Sequence, residues 1–152
     1  MEISESFVIP APRDQVWAAL NDPAVLRDCI PGCQELEAES EDRLNATVAL
    51  KIGPVKATFR GTVELSEKIP PESFVIHGEG RGGAAGFAKG SARVFLEDHP
   101  EGTLLRYEVD VAIGGKLAQL GSRLIMSTSR KLSTQFFERF AAKFSDGGAQ
   151  VS

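Results

Sequence analysis

At Gly114-Gly115 the chain changes period, and no other feature narrows its fold as much. Ahead of that pair, apolar and polar residues alternate. Leu44, Ala46, Val48, Leu50 and Ile52 form one such run, and Val55, Ala57, Phe59, Gly61, Val63 and Leu65 the next. A period of two marks a strand with one buried face. Behind the pair, residues 116–144 hold no proline and one glycine, Gly121. There Leu117, Leu120, Gly121, Leu124, Ile125, Thr128, Leu132, Phe136 and Phe140 recur at helical spacing. The pattern predicts one helix about 40 Å long.

Turn signals divide the alternating region. Gly53-Pro54, Pro70-Pro71-Glu72, the GGAAGF stretch and His99-Pro100-Glu101-Gly102 separate successive strands, six in all from Gln34 onward. ISESFVI opens the chain as a seventh, with Ile3, Phe7 and Ile9 as its apolar residues. Two short helices follow it, Arg13–Leu20 with Pro12 in its first turn and Pro23–Asp28, which Pro31-Gly32 ends. The predicted class is α+β: a seven-stranded antiparallel sheet, curved around a long C-terminal helix, with two short helices after strand 1. No linker or repeat interrupts it, so residues 1–146 are expected to form one domain, and 147–152, beginning at Gly147-Gly148, a flexible tail.

A chain of 152 residues that is 42% hydrophobic suffices for one core. No apolar run approaches the roughly 18 residues of a membrane span, and MEISES does not resemble a signal peptide. Two cysteines without a secretory context suggest a cytoplasmic setting. Charge is unevenly spread: residues 1–114 carry a net −8 and residues 115–152 a net +4. A basic end on an acidic body raises the question of membrane or partner contact.

The inward positions of the strands hold little bulk. Gly61 lies between Phe59 and Val63, Gly78 and Gly80 follow Ile76, and Gly90 and Ala92 precede Val94. Glycines inside strands mark either bulges that curve the sheet or room for a ligand. The cavity reading predicts a lining of Phe59, Gly61, Val63, Gly80, Phe87, Val94, Tyr107, Val109, Leu117, Leu120, Gly121, Leu124 and Ile125. Such a surface is apolar with one hydroxyl, as small-molecule pockets commonly are. The Gly53-Pro54 and Gly82–Phe87 loops are candidates for its entrance.

Catalytic and metal signatures are missing. His77 falls on the outward parity with Glu79 and Arg81, and His99 sits in a turn. No HExxH, inward carboxylate pair or buried Ser/His/Asp set is legible. GEGRGGAAG lacks the strand-to-helix context of a nucleotide loop, and the strands lack the basic and aromatic pattern of a nucleic-acid platform. CIPGC, residues 29–33, has the C-x3-C spacing rather than C-x2-C, with no further ligands nearby. It reads as a turn with small apolar cysteines, with a regulatory disulfide as the alternative.

Three stretches carry a resemblance. Trp17-x-x-Leu20-x-Asp22-Pro23 with Cys29-Ile30-Pro31-Gly32, GPVKATFRGTVEL, and above all IGGKLAQLGSRLI at 113–125 resemble the G-subunit family of carbon monoxide dehydrogenase, over residues 1 to about 144. The resemblance implies the helix-grip fold, shared with START-like lipid-transfer domains and polyketide cyclases. It also implies a non-catalytic accessory role beside molybdenum hydroxylases. A lipophilic ligand, a quinone or lipid, would sit in the cavity without covalent attachment, and the enzyme would be linked to the inner face of the cell membrane. Some members continue into an apolar C-terminal anchor, whereas this chain stops at GGAQVS. Membrane contact is then expected to be peripheral, through the basic helix end with Phe136, Phe137, Phe140 and Phe144, unless those rings pack on the sheet. Two other functions stay open: a cyclase-like enzyme, and a docking protein with a filled core.

Overall fold

The computed structural model describes residues 2–151, with side chains for 2–144. Strands β1 (Glu2–Ile9), β2 (Cys33–Ser40), β3 (Arg43–Ile52), β4 (Val55–Ile69), β5 (Ser73–Arg81), β6 (Phe87–His99) and β7 (Gly102–Gly114) make one antiparallel sheet. From β2 to β7 each strand pairs with the next, and β1 returns to pair with β7, giving the order β1-β7-β6-β5-β4-β3-β2. Helices α1 (Arg13–Leu20) and α2 (Pro23–Cys29) connect the two edges. Pro23 opens α2, and the Asp22 carboxylate caps it by accepting from the Ala24 N–H at 3.0 Å.

Helix α3 spans Ser122–Val151 and so begins six residues later than the spacing predicts. Residues 115–120 form a 3-10 segment, and Gly121 follows at φ +86°. That left-handed conformation breaks the α-helical ladder, which is why only a glycine sits comfortably there. The expected tail at 147–152 falls where side chains are not described, and the backbone there continues α3 to Val151.

The concave face of the sheet is divided in two. At one end Ile9, Leu65, Phe74, Val94, Leu96, Leu105 and Tyr107 are buried against Val16 and Leu20 of α1 and Phe140 of α3. Phe136, Phe137 and Phe144 pack against this core, and Phe7 stacks on Phe137. Phe140 is therefore a core residue, and the other three rings pack half-buried against the same core. Thr103 fixes the same end by donating its hydroxyl to the Ala11 carbonyl at 2.7 Å, with the side chain fully buried.

Candidate ligand site

At the other end, the inward residues Ala46, Val48, Phe59, Val63, Ile76, Ala92, Val109 and Val111 are only half-buried. The glycines explain why. A Cβ on Gly61 would stand 1.7 Å from the Glu79 carbonyl oxygen, and one on Gly90 would stand 2.8 Å from that of Asp110. Close backbone approach requires glycine at both. Gly78 and Gly80 differ, since a Cβ there would meet nothing nearer than 3.9 Å and 3.7 Å. Sheet curvature accounts for the first pair but not the second, and glycine inside a strand costs about 0.5–1 kcal/mol relative to alanine. What Gly78 and Gly80 provide is room.

The room is a hollow of about 360 Å³. Its lining includes Ala46, Val48, Phe59, Gly61, Val63, Ile76, Gly78, Gly80, Ala88, Gly90, Ala92, Val109 and Val111. Its size and apolar character suit a small molecule.

Of the thirteen residues expected from sequence, Phe59, Gly61, Val63, Gly80 and Val109 meet here. Val94 is buried in the packed core instead. Phe87 has the outward parity of β6; its side chain is 44% exposed, and its ring lies where a Cβ on Gly114 would be. Leu117 and Ile125 are buried outside the lining, Leu120 is half-buried, and Leu124 rests on the β3–β4 turn at Gly53. Gly121 faces open space. Leu117, Leu120 and Gly121 lie ahead of α3, where the helix reading started too early, while Leu124 and Ile125 lie in its first turn and pack outside the hollow.

Of the two expected entrance loops, the Gly53 turn meets Leu124 at the start of α3, and Gly86 meets the end of β7. A Cβ on Gly53 would lie 2.7 Å from Leu124 Cδ2, and one on Gly86 2.0 Å from the Gly114 carbonyl.

Tyr107 lies one step beyond the hollow and belongs to a polar cluster that strand parity alone did not bring together. Glu5 pairs with it across β1 and β7, on the same face as Ile3 and Phe7. The Glu5 Oε1 and the Tyr107 hydroxyl are both buried without a hydrogen-bond partner. Arg130 of α3 approaches Glu5 at 3.9 Å. Burial pushes the Tyr107 phenol up, against the opposing pull of the Ser133 side chain. Ser133 and Glu5 both stand beside the phenol and bias it in opposite directions. Parity was the available signal for Glu5, since it alternates with inward apolar neighbours.

The outer face carries two polar depressions of about 500 and 690 Å³, which share His77, Ser91 and Asp110. His77 Nδ1 lies 2.6 Å from Ser91 Oγ. Ser91 pairs with both His77 and Asp110 in register, so the serine stands in the middle. Nucleophile activation needs the histidine there. These exposed, mixed-charge surfaces have no catalytic order, and the inner hollow is the better candidate despite its smaller volume.

CIPGC forms the turn between α2 and β2. Gly32 has φ +75°, and a Cβ on it would stand 2.1 Å from the Ala49 carbonyl oxygen. Both thiols are free, and burial pushes each above its usual range, which disfavours the thiolate. Among the described residues no His/Cys/Asp/Glu group could hold a metal ion, and no helix is long and apolar enough to cross a membrane.

Known proteins place this geometry. The structure is similar to that of a conserved protein from Geobacillus kaustophilus, with 28% identity, 96% of each chain covered and a TM-score of 0.90. It shares its fold with protein Ms6760 from Mycobacterium smegmatis, at 14% identity, TM-score 0.71 and coverage of 96% and 92%. It also shares it with the Zhui aromatase/cyclase from Streptomyces sp. R1128, at 14% identity, TM-score 0.68 and coverage of 94% and 92%. Comparison with curated proteins gives no match. The family of the carbon monoxide dehydrogenase G-subunit (CoxG) matches residues 6–145. The chain belongs to the CoxG family of carbon monoxide dehydrogenase.

Proposed function

We propose that this protein is a non-catalytic accessory protein of a carbon monoxide dehydrogenase or related molybdenum hydroxylase. It binds a lipophilic molecule, a quinone in the first instance, in the concave hollow and links its enzyme to the membrane. One observation carries the reading: Gly78 and Gly80 open space over the sheet that the backbone does not require. A docking protein with a filled core has no use for such room. The fold alone is compatible with a cyclase-like enzyme, but the outer-face histidine lacks a catalytic arrangement.

Membrane contact in this reading is peripheral and electrostatic. Arg123, Lys131 and Arg139 are exposed along α3, while its phenylalanines are turned inward.

The test is solvent extraction of the purified protein with mass spectrometry of the extract. A stoichiometric quinone or isoprenoid supports the carrier role. An empty protein that also fails to take up menaquinone sinks it. The Gly78→Leu variant places a side chain in the hollow without a backbone clash, and uptake undiminished by it would rule out this site.

A further inference from the structure

Resting on the membrane link proposed above, we infer that the protein meets an anionic lipid bilayer end-on, through the glycine turns beside the hollow. In an antiparallel meander alternate turns share one end. The β3–β4 turn, the β5–β6 loop and the segment after β7 stand together, with Gly53 beside Leu124 and Gly86 beside Gly115.

The charge on that end has one sign. Residues 43–63, 80–96 and 111–137, the three stretches that run through it, hold no aspartate or glutamate. Glu79, just outside the second stretch, pairs in register with Lys89. Lys51, Lys56, Arg60, Arg81, Lys116 and Arg123 are all exposed. Among the described residues none of these six forms an ion pair. Lys51 stands opposite Lys56 in register, and Arg60 opposite Arg81. Like charges directly opposite across strands are destabilising, a cost that an anionic surface offsets. At the other end the turns carry Glu41, Asp42, Glu72 and Glu101. An anionic surface therefore attracts one end of the molecule and repels the other.

Two features favour a bilayer over an acidic protein. Phe87, the register partner of Arg81, is 44% exposed, and residues 82–86 before it are all glycine or alanine. A large apolar group beside Lys/Arg suits a membrane interface. The hollow also lies at this end, since its lining residues Phe59, Gly80 and Ala88 adjoin Arg60, Arg81 and Phe87 in the chain. A lipophilic ligand passing between bilayer and hollow then crosses little water.

The experiment is flotation of the full chain at physiological ionic strength with two kinds of vesicle, phosphatidylcholine alone and phosphatidylcholine mixed with phosphatidylglycerol. The wild type should bind only the mixed vesicles. Lys51→Gln with Lys56→Gln, and Arg60→Gln with Arg81→Gln, should each weaken binding about twenty-five-fold, roughly five-fold per cation. Lys131→Gln with Arg139→Gln is the comparison. Those residues lie about 12 and 24 Å farther along α3 than Arg123, beyond the screening length, and should matter less than about two-fold. Phe87→Trp should add blue-shifted emission on the mixed vesicles, whereas the single native tryptophan, Trp17, packs on Phe74 and should not shift. All the substituted residues are exposed, and matching thermal melts will confirm that the variants fold. Binding that survives both turn pairs, or that the Lys131/Arg139 pair loses as readily, overturns the end-on orientation and leaves the membrane link standing. Unshifted Phe87→Trp emission from bound protein overturns it as well. If the wild type binds no anionic vesicle, the membrane link falls, the orientation falls with it, and an acidic protein becomes the partner for the basic end.

Discussion

Phe7 of β1 and Phe137 of α3 stack with ring centroids 4.4 Å apart and planes 22° from parallel. Offset stacking of this kind adds about 0.5–1.5 kcal/mol to the burial of the rings. The contact ties the first strand to the helix, and Phe140, one turn on, is fully buried in the same core. Phe140→Ala should cost about 3–5 kcal/mol. Urea unfolding will measure it; a loss below about 1 kcal/mol would mean that the helix end is not packed as described.

The two classes of glycine make opposite predictions. Gly61→Ala drives a methyl group into the Glu79 carbonyl and should unfold the protein or sharply lower its melting temperature. Gly80→Ala meets only ordinary contact with Phe59 and should be neutral or stabilising by about 0.5–1 kcal/mol. Thermal melts of the two variants side by side settle the matter; similar losses would remove the argument for room.

Thr103→Val keeps the shape of the side chain but leaves the buried Ala11 carbonyl without its donor. The expected cost is about 1–3 kcal/mol. Denaturant midpoints will check it, and an unchanged midpoint would show that the bond contributes nothing.

Stability should fall at alkaline pH. Burial raises Cys29 and Cys33 above the usual 9.0, and Tyr107 above the usual 10.0. An unfolded chain releases these protons first, so their contribution is fully present below about pH 9 and declines above it. Unfolding free energies at pH 7, 8.5 and 10 will trace the window. Cys29→Ala with Cys33→Ser should flatten part of the decline; an unaltered slope would exclude the thiols as its source.

Most of the fold was legible because strand period and turn chemistry agreed. Gly53-Pro54 and Pro70-Pro71 stand where the sheet reverses, and the alternation between them reports a face that is buried or half-buried. The helix start was not legible. Gly121 fits the spacing of three and four, and only its positive φ reveals that the backbone changes course there. That error carried Leu117, Leu120 and Gly121 into the expected lining as helix residues. Glu5 was hidden for another reason: a carboxylate among serines reads as solvent-facing even though its parity with Ile3 and Phe7 turns it inward, and its pairing with Tyr107 needs the register. Nor can sequence separate Gly61 from Gly80, since the difference is which neighbour's backbone comes close.

The strand order has a consequence for how the molecule is made. β1 pairs Glu2 with Asp110 and Ile9 with Thr103. The first strand to leave the ribosome therefore waits for the last before it gains a hydrogen-bonded neighbour. Contacts of such long sequence separation close slowly, and an unpaired apolar strand is a site for chain-to-chain association meanwhile. A nascent chain arrested before β7 would hold Ile3, Phe7 and Ile9 without their native neighbour, so β1 takes its place in the sheet only once β7 is complete.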